Sequence, residues 1–407
     1  MASLKDMRAR NRLRMLQALR LAGTADRAEL SRLTGLSRAT VSGLVGDAVA
    51  QGHVVEAEPT GGRRSALLHL DPRAGFVAGV DLGHRHIRVV LADLAAAVLG
   101  ERCVELDVDK SAEVALDTAA SLLDDLVRST GVDGDRLVGV GLGVPGPVDR
   151  QTGAVRSATI LTGWAGVHPA EELGRRVDLP VRVENDGNLG ALGEHLHGAA
   201  RGDSDLFYIK LATGVGGGAI LGGALYVGVR GAAAELGHVT VVPQGGICRC
   251  GNRGCLELVA SSTALSRAIT GVERRGLTVA EVADLATDDV AVDRAVAEAG
   301  RYVGRAVAPL CLALDVPLVV VGGDLGAAAP RLVGAIRSVL RKASGPGNSV
   351  EVRAGSLGGR AEVLGAVALA VGQEDWLLEA GLISLVDDGA AVPAGGDVPH
   401  DRALSRR

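Results

Sequence analysis

A chain of 407 residues is too long for one ordinary core, so two or three domains are expected. Apolar residues make up 47% but aromatics only 2%, so the interior must be built from Ala, Val and Leu; no run of about 20 apolar residues is present, which argues against a membrane span or secretory signal. The net charge of −5 hides a basic head, because the first seventy residues carry Lys5, Arg8, Arg10, Arg12, Arg14, Arg20, Arg27, Arg32, Arg38, Arg63 and Arg64 against six acids. A basic head on an acidic body points to a polyanion partner for the head alone.

The head divides into three helices and a hairpin. Leu13, Leu16, Ala18 and Leu19 recur at helical spacing until Gly23 ends the pattern. Asp26, three residues before Glu29, resembles a capping box and opens a second helix through Ala28, Leu30 and Leu33. After Gly35, Ser37 is an N-cap for a third helix read from Ser37 to Val45, with Leu36 placed to staple onto Val41. Its outward residues Arg38, Ala39, Thr40, Ser42 and Gly43 are short or hydrogen-bonding apart from one Arg, and such a face can approach the floor of a DNA major groove. Val54 to Glu56 and Ala66 to Leu70 read as paired strands, joined by a turn tipped by Arg63 and Arg64 that is suited to phosphates or the minor groove. The order predicts a winged helix-turn-helix over residues 1–71, with Ser37, Arg38, Ala39, Thr40, Ser42, Arg63 and Arg64 as DNA-binding residues.

The body opens with a strand at Phe76 to Asp81, a turn at Leu82-Gly83 and a second strand at Ile87 to Leu91. Asp205 to Leu211, a glycine-rich turn at Ala212 to Gly218 and Ala219 to Leu221 repeat that pattern, which predicts two related α/β lobes with a ligand cleft between them. Helical runs at Ala112 to Ser129 and Thr263 to Thr270 are expected to cover the sheets. A strand at Val138 to Gly143 leads into a Pro- and Gly-punctuated loop, and a short strand at Val181 to Val183 ends at Glu184-Asn185-Asp186. Asn185 and Asp186 at a strand's carboxyl end are placed to share sugar hydroxyls, or alternatively to form an Asx turn and helix cap.

Glu235-Leu236-Gly237-His238 is followed by Cys248-Arg249-Cys250-Gly251-Asn252-Arg253-Gly254-Cys255-Leu256-Glu257, which gathers three of the five cysteines. A CxC knuckle, a third Cys five residues on and a nearby His supply a Cys3His set for a structural zinc ion. The odd, clustered thiols argue for a reducing cytosol over a disulfide framework.

The ExGH and CxCGxxGCxE segments together resemble the signature of the ROK family of repressors and sugar kinases, and the resemblance extends from about residue 7 to residue 372. It implies the duplicated actin- and hexokinase-like (RNase H-like) body over residues 72–373 and zinc ligation by His238, Cys248, Cys250 and Cys255. It further implies sugar contacts from Asn185, Asp186, Glu235, His238 and Glu257, with Asp186 at the kinase base position. Kinases of the family carry a DxGGT phosphate loop, and here Asp81-Leu82-Gly83-His84-Arg85 replaces the second Gly and the Thr by His84 and Arg85. Their PNLxGW segment has Ile160 at the Asn position, although Gly163 and Trp164 are kept. The reading is therefore a cytoplasmic, sugar-responsive regulator of carbohydrate genes, most simply a repressor. It is expected to act without enzymatic activity and as a homodimer or dimer of dimers on operator DNA, with a sugar or phosphosugar effector. An ATP-dependent sugar kinase with an added head is the alternative, and a regulator controlled by a protein partner is a third. The Ala-, Pro- and Gly-rich tail over 374–407 is expected to be largely disordered.

Overall fold

The computed structural model describes residues 4–57, 65–71, 74–156, 161–270, 290–323, 330–345 and 349–372. Arg63, Arg64, Ile160 and the tail therefore lie outside the described residues.

Helices α1 (Leu4–Ala22), α2 (Arg27–Thr34) and α3 (Arg38–Ala50) precede strands β1 (Val54–Ala57) and β2 (Leu67–Leu70). Local chemistry sets the boundaries. Asp26 accepts from the Glu29 amide at 2.8 Å, Gly35 turns through the left-handed region at φ 67°, and Ser37 accepts from the Thr40 amide at 3.1 Å. Met15, Leu19, Leu30, Val41, Leu44, Val45 and Leu68 form the head's own core, with Leu36 packed against it. Two details differ from the sequence reading. α3 continues past Val45 to Ala50 because Ala48 supplies a further buried turn, and Leu33 is 53% exposed while Thr34 takes the inward position. Ala25 adds a one-residue third strand beside β2 by exchanging both backbone hydrogen bonds with Leu68.

The body contains two five-stranded sheets of the same topology. The first has the order β5-β4-β3-β6-β7, built from β3 (Phe76–Leu82), β4 (His86–Asp93), β5 (Val98–Glu105), β6 (Leu137–Val144) and β7 (Val181–Asn185). The second has the order β10-β9-β8-β11-β12, from β8 (Leu206–Leu211), β9 (Val215–Leu221), β10 (Ala224–Leu225), β11 (Leu318–Gly322) and β12 (Glu351–Ala354). In each sheet three antiparallel strands are extended by two parallel ones. β3 is buried on both faces, which explains its near-continuous apolar sequence. Ala78, Val80 and Leu82 face α4 (Ala112–Thr130), whereas Val77 faces the helix that closes the body. Among the described residues the other helices are α5 (Pro169–Val177), α6 (Asp186–His197), α7 (Glu257–Ala260), α8 (Ser262–Thr270), α9 (Val290–Leu314), α10 (Pro330–Ser344) and the closing α11 (Ala361–Val371).

α6 and α11 occupy equivalent places after the last parallel strand of each sheet, and they pack on one another between the sheets. The crossing is made by glycines: a Cβ on Gly365 would overlap the Leu189 carbonyl, and one on Gly193 the Ala361 carbonyl. On an exposed helix, Gly365→Ala would stabilise by about 1 kcal/mol from propensity. Here overpacking should dominate, and a net loss of about 1–3 kcal/mol is expected in urea denaturation; a stabilised variant would show that the two backbones are not in contact.

Candidate functional site

Two surfaces gather the residues picked out from the sequence, one on the head and one in the cleft. On the head, Ser37, Arg38, Ala39, Ser42 and Gly43 are exposed along α3 and Thr40 is half-buried. Thr40 Oγ1 lies 2.8 Å from Ser37 Oγ, so these two hydroxyls engage each other at the cap. Nothing stands within 4 Å of where a Cβ would sit on Gly43 or Gly46, which leaves the backbone of the helix open on this side. The far end of α3 is fixed from behind. Arg12 of α1 is buried and reaches His53 Nδ1 at 2.8 Å and the Gln51 side chain, and Arg8 pairs with Asp47 at 2.6 Å.

In the cleft, the β3–β4 and β8–β9 turns face each other. A Cβ on Gly214 would stand 3.0 Å from Glu257 Oε2, 3.6 Å from Arg249 Nη2 and 3.7 Å from His84 Nε2. The His84 imidazole thus reaches from the first turn to the second, held by Asp109 Oδ1 at 2.7 Å from Nδ1. Behind it His86 lies over Gly83 and bonds through Nε2 to Asp81 Oδ2 at 2.9 Å.

The helix-cap reading of Asn185 is realised. Its Oδ1 accepts from the Gly187 and Asn188 amides at 2.9 and 3.2 Å, capping α6, so only its amide N–H groups are left for a ligand. Asp186, 8% exposed, accepts from the Gly187 amide through Oδ1 and from Lys210 Nζ at 2.9 Å through Oδ2. Burial, reinforced by Asp186 and Glu257, pushes the Glu235 carboxyl up to about 7. Glu257 is gripped by Arg249, with Nε to Oε1 at 3.0 Å and Nη2 to Oε2 at 3.2 Å. Asp186, Glu235 and Glu257 therefore lie near one another, and two of the three carry a resident cation. Lys210, Arg249 and His86 were not singled out from sequence. A lone lysine in the apolar run Leu206–Leu211 was the available signal.

The thiols gather as well. The ligand atoms of His238, Cys248, Cys250 and Cys255 lie within 4.8 Å of one another, with 3.7 Å between Cys248 Sγ and His238 Nδ1 and 3.7 Å between the Cys250 and Cys255 sulfurs. Tetrahedral zinc with Zn–S bonds of about 2.3 Å separates its ligands by about 3.8 Å. The residues fit that ion. Gly251 and Gly254 make the returning turn at φ 91° and 70°, and a side chain on Gly254 would overlap the Val242 carbonyl.

The sequence profile of the ROK family matches residues 77–373, and that of the MarR family matches residues 8–65. The xylose repressor of Bacillus subtilis is 30% identical over 351 residues, spanning 85% of this chain and 90% of its own. A glucokinase from Streptomyces griseus, solved with glucose and AMPPNP, is 31% identical with a TM-score of 0.65, covering 73% of this chain and 99% of its own. A ROK family transcriptional regulator homologous to the E. coli MLC protein superposes with a TM-score of 0.76 at 22% identity, covering 92% of this chain and 99% of its own.

Proposed function

Because the chain belongs to the ROK family and carries a MarR-type winged helix head, we propose that it is a sugar-responsive DNA-binding regulator, acting as a repressor of carbohydrate uptake or catabolism genes. The observation that carries this reading is the union of a separately cored head, whose α3 presents an open polar face, with a body that holds a carboxylate-lined cleft. The kinase comparison supports it, since that enzyme is accounted for to 99% of its length by 73% of this chain.

Arg38, Ala39, Ser42 and the cap pair Ser37 and Thr40 would enter the major groove, with Arg63 and Arg64 on the flanking backbone. Modules of this kind read paired half-sites as dimers, so a homodimer on a near-palindromic operator is the expected assembly. In the cleft, the Asn185 amide donates to a sugar oxygen while Asp186, Glu235 and Glu257 accept from hydroxyls, and His238 completes the wall. His238, Cys248, Cys250 and Cys255 would hold zinc, which supplies structural bracing of that wall and no reactive group. Phosphoryl transfer is disfavoured because the His84 imidazole reaches into the space between the two glycine turns.

The test is anisotropy of the protein on its own upstream DNA at fixed salt, with and without a sugar panel, beside a coupled assay for ATP-dependent turnover. Specific binding released by one sugar is expected, with no turnover. Absence of specific binding together with turnover abolished by Asp186→Asn would establish the kinase instead.

A further inference from the structure

Behind Asp186 runs a row of buried polar groups that the effector site itself does not use. Lys210 Nζ, besides its 2.9 Å bond to Asp186 Oδ2, lies 3.6 Å from Glu362 Oε1. The Tyr208 hydroxyl donates to Glu362 Oε1 at 3.1 Å and accepts from the Gly323 amide at 3.1 Å. Tyr208 and Glu362 are 0% and 2% exposed, Asp186 and Lys210 8% and 9%. An ammonium at that depth is sustained by Asp186 and Glu362, with the buried Asp81 carboxylate a further attraction, so removing Asp186 or Glu362 leaves it under-compensated.

The partners belong to different parts of the fold. Lys210 and Tyr208 stand on β8 of the second sheet, and Asp186 opens α6, which packs on that sheet. Glu362 lies in the first turn of α11, whose Val363 and Val367 pack with Val77 of the first sheet, and Gly141 of β6 meets the Ala366 carbonyl. The Asp186, Lys210 and Glu362 side chains therefore form one polar bridge from one lobe to the other, beside the glycine crossing of α6 and α11.

We propose that Lys210 and Glu362 are positioning residues that convey occupancy of Asp186 to the contact between the lobes. The inference rests on the effector reading of Asp186 given above. A sugar hydroxyl donating to Asp186 Oδ2 competes for the lone pair that now accepts from Lys210. The ammonium is then held more by Glu362, and the 3.6 Å separation, longer than a direct hydrogen bond, leaves room for that contact to tighten. The bound sugar thereby favours the arrangement with α11 drawn onto β8, and a ligand shifts an equilibrium only through such a difference between states.

The experiment uses full-length protein and Glu362→Gln, which keeps the side-chain shape and an acceptor for Tyr208 but removes the charge that faces Lys210. Burial raises the Glu362 carboxyl to about 7, so measurements are made at pH 8, with D-xylose, D-glucose and N-acetylglucosamine as probes. Sugar affinity is read by calorimetry and operator affinity by anisotropy with and without saturating sugar. Wild-type operator affinity is expected to fall by roughly 5–150-fold on sugar binding, whereas Glu362→Gln binds sugar within about 3-fold of wild type yet releases operator by less than about 2-fold. A merely structural role would lower sugar and operator affinity together. Release by Glu362→Gln equal to wild type overturns the inference and leaves the effector reading intact. No release of wild type by any of the three sugars overturns the effector reading, and the coupling falls with it. Should Glu362→Gln fail to fold, Glu362→Asp keeps the charge but withdraws it from Lys210, and the same split between retained sugar affinity and weakened release is expected; release unchanged from wild type overturns the inference here too.

Discussion

Glutamate in place of Gly43 is expected to abolish specific operator binding while the head melts at the same temperature or higher. Glycine in a helix interior costs about 1 kcal/mol relative to alanine, and α3 carries two of them, Gly43 and Gly46, on its open side. Neither is there for internal packing, because among the described residues no atom outside the helix's own turn and the adjoining residues lies within 4 Å of the missing Cβ. A helix that accepts this cost on the face beside Arg38, Ala39 and Ser42 is one whose backbone must come close to something outside the chain. Groove floors and phosphates meet that description. A carboxylate there faces phosphates, and like-charge contacts at an interface cost several kcal/mol, so a loss of at least about 100-fold is expected. Gly43→Ala serves as the control. It should raise the melting temperature with only a few-fold loss of DNA affinity, since one methyl adds bulk without charge. Circular dichroism reads the first quantity and anisotropy the second. Operator affinity unchanged in Gly43→Glu would place the DNA interface on another face of the head.

The features legible in the sequence share a physical character. Asp26 and Ser37 are caps whose hydrogen bonds close within three residues, so their partners are visible in the local sequence. The β3–β4 and β8–β9 hairpins announce themselves as apolar strands broken by glycine, although Gly216, Gly217 and Gly218, read as turn, lie within β9 and pair with β8. What escaped the reading was non-local or patternless. β5 runs along a sheet edge with most residues exposed or half-exposed, so no alternation marks Val98 to Glu105 as a strand. Lys210 stands out as a charge in an apolar strand, but its meaning depends on Glu362, which only the pairing of α6 with α11 brings near. Arg249 sits between two cysteines, where spacing draws attention to the thiols and not to a guanidinium gripping Glu257. Asn185 shows why the choice between ligand contact and helix cap stayed open: its oxygen caps α6 and its nitrogen is left over.

Cys255→Ser is expected to remove zinc and with it the response to sugar, before it affects the head's grip on DNA. Cys255 is fully buried, and its sulfur lies 3.7 Å from that of Cys250 and 3.6 Å from the His238 carbonyl. The next residue, Leu256, belongs to the core of the second lobe, and the one after, Glu257, lines the cleft. Losing one of four ligands therefore loosens at once the turn that aims Arg249 at Glu257 and the entry to α7. Structural zinc contributes about 10–16 kcal/mol in small fingers that have no other core. This lobe has a large apolar core of its own, so a smaller share, on the order of 4–6 kcal/mol, is expected, which corresponds to a fall of about 10 °C in the body's melting transition. The head's transition should not move, because its core of Met15, Leu19, Leu30 and Val41 shares no residue with that lobe. Metal analysis should find about one zinc per wild-type chain and none in Cys255→Ser. Chelated wild type should melt like the variant and recover on adding zinc, whereas the variant should not. Operator binding without sugar should survive in both. Wild type purified free of zinc, melting unchanged and still releasing operator with sugar, would mean that the four side chains converge without a metal and that the cleft is braced by protein contacts alone.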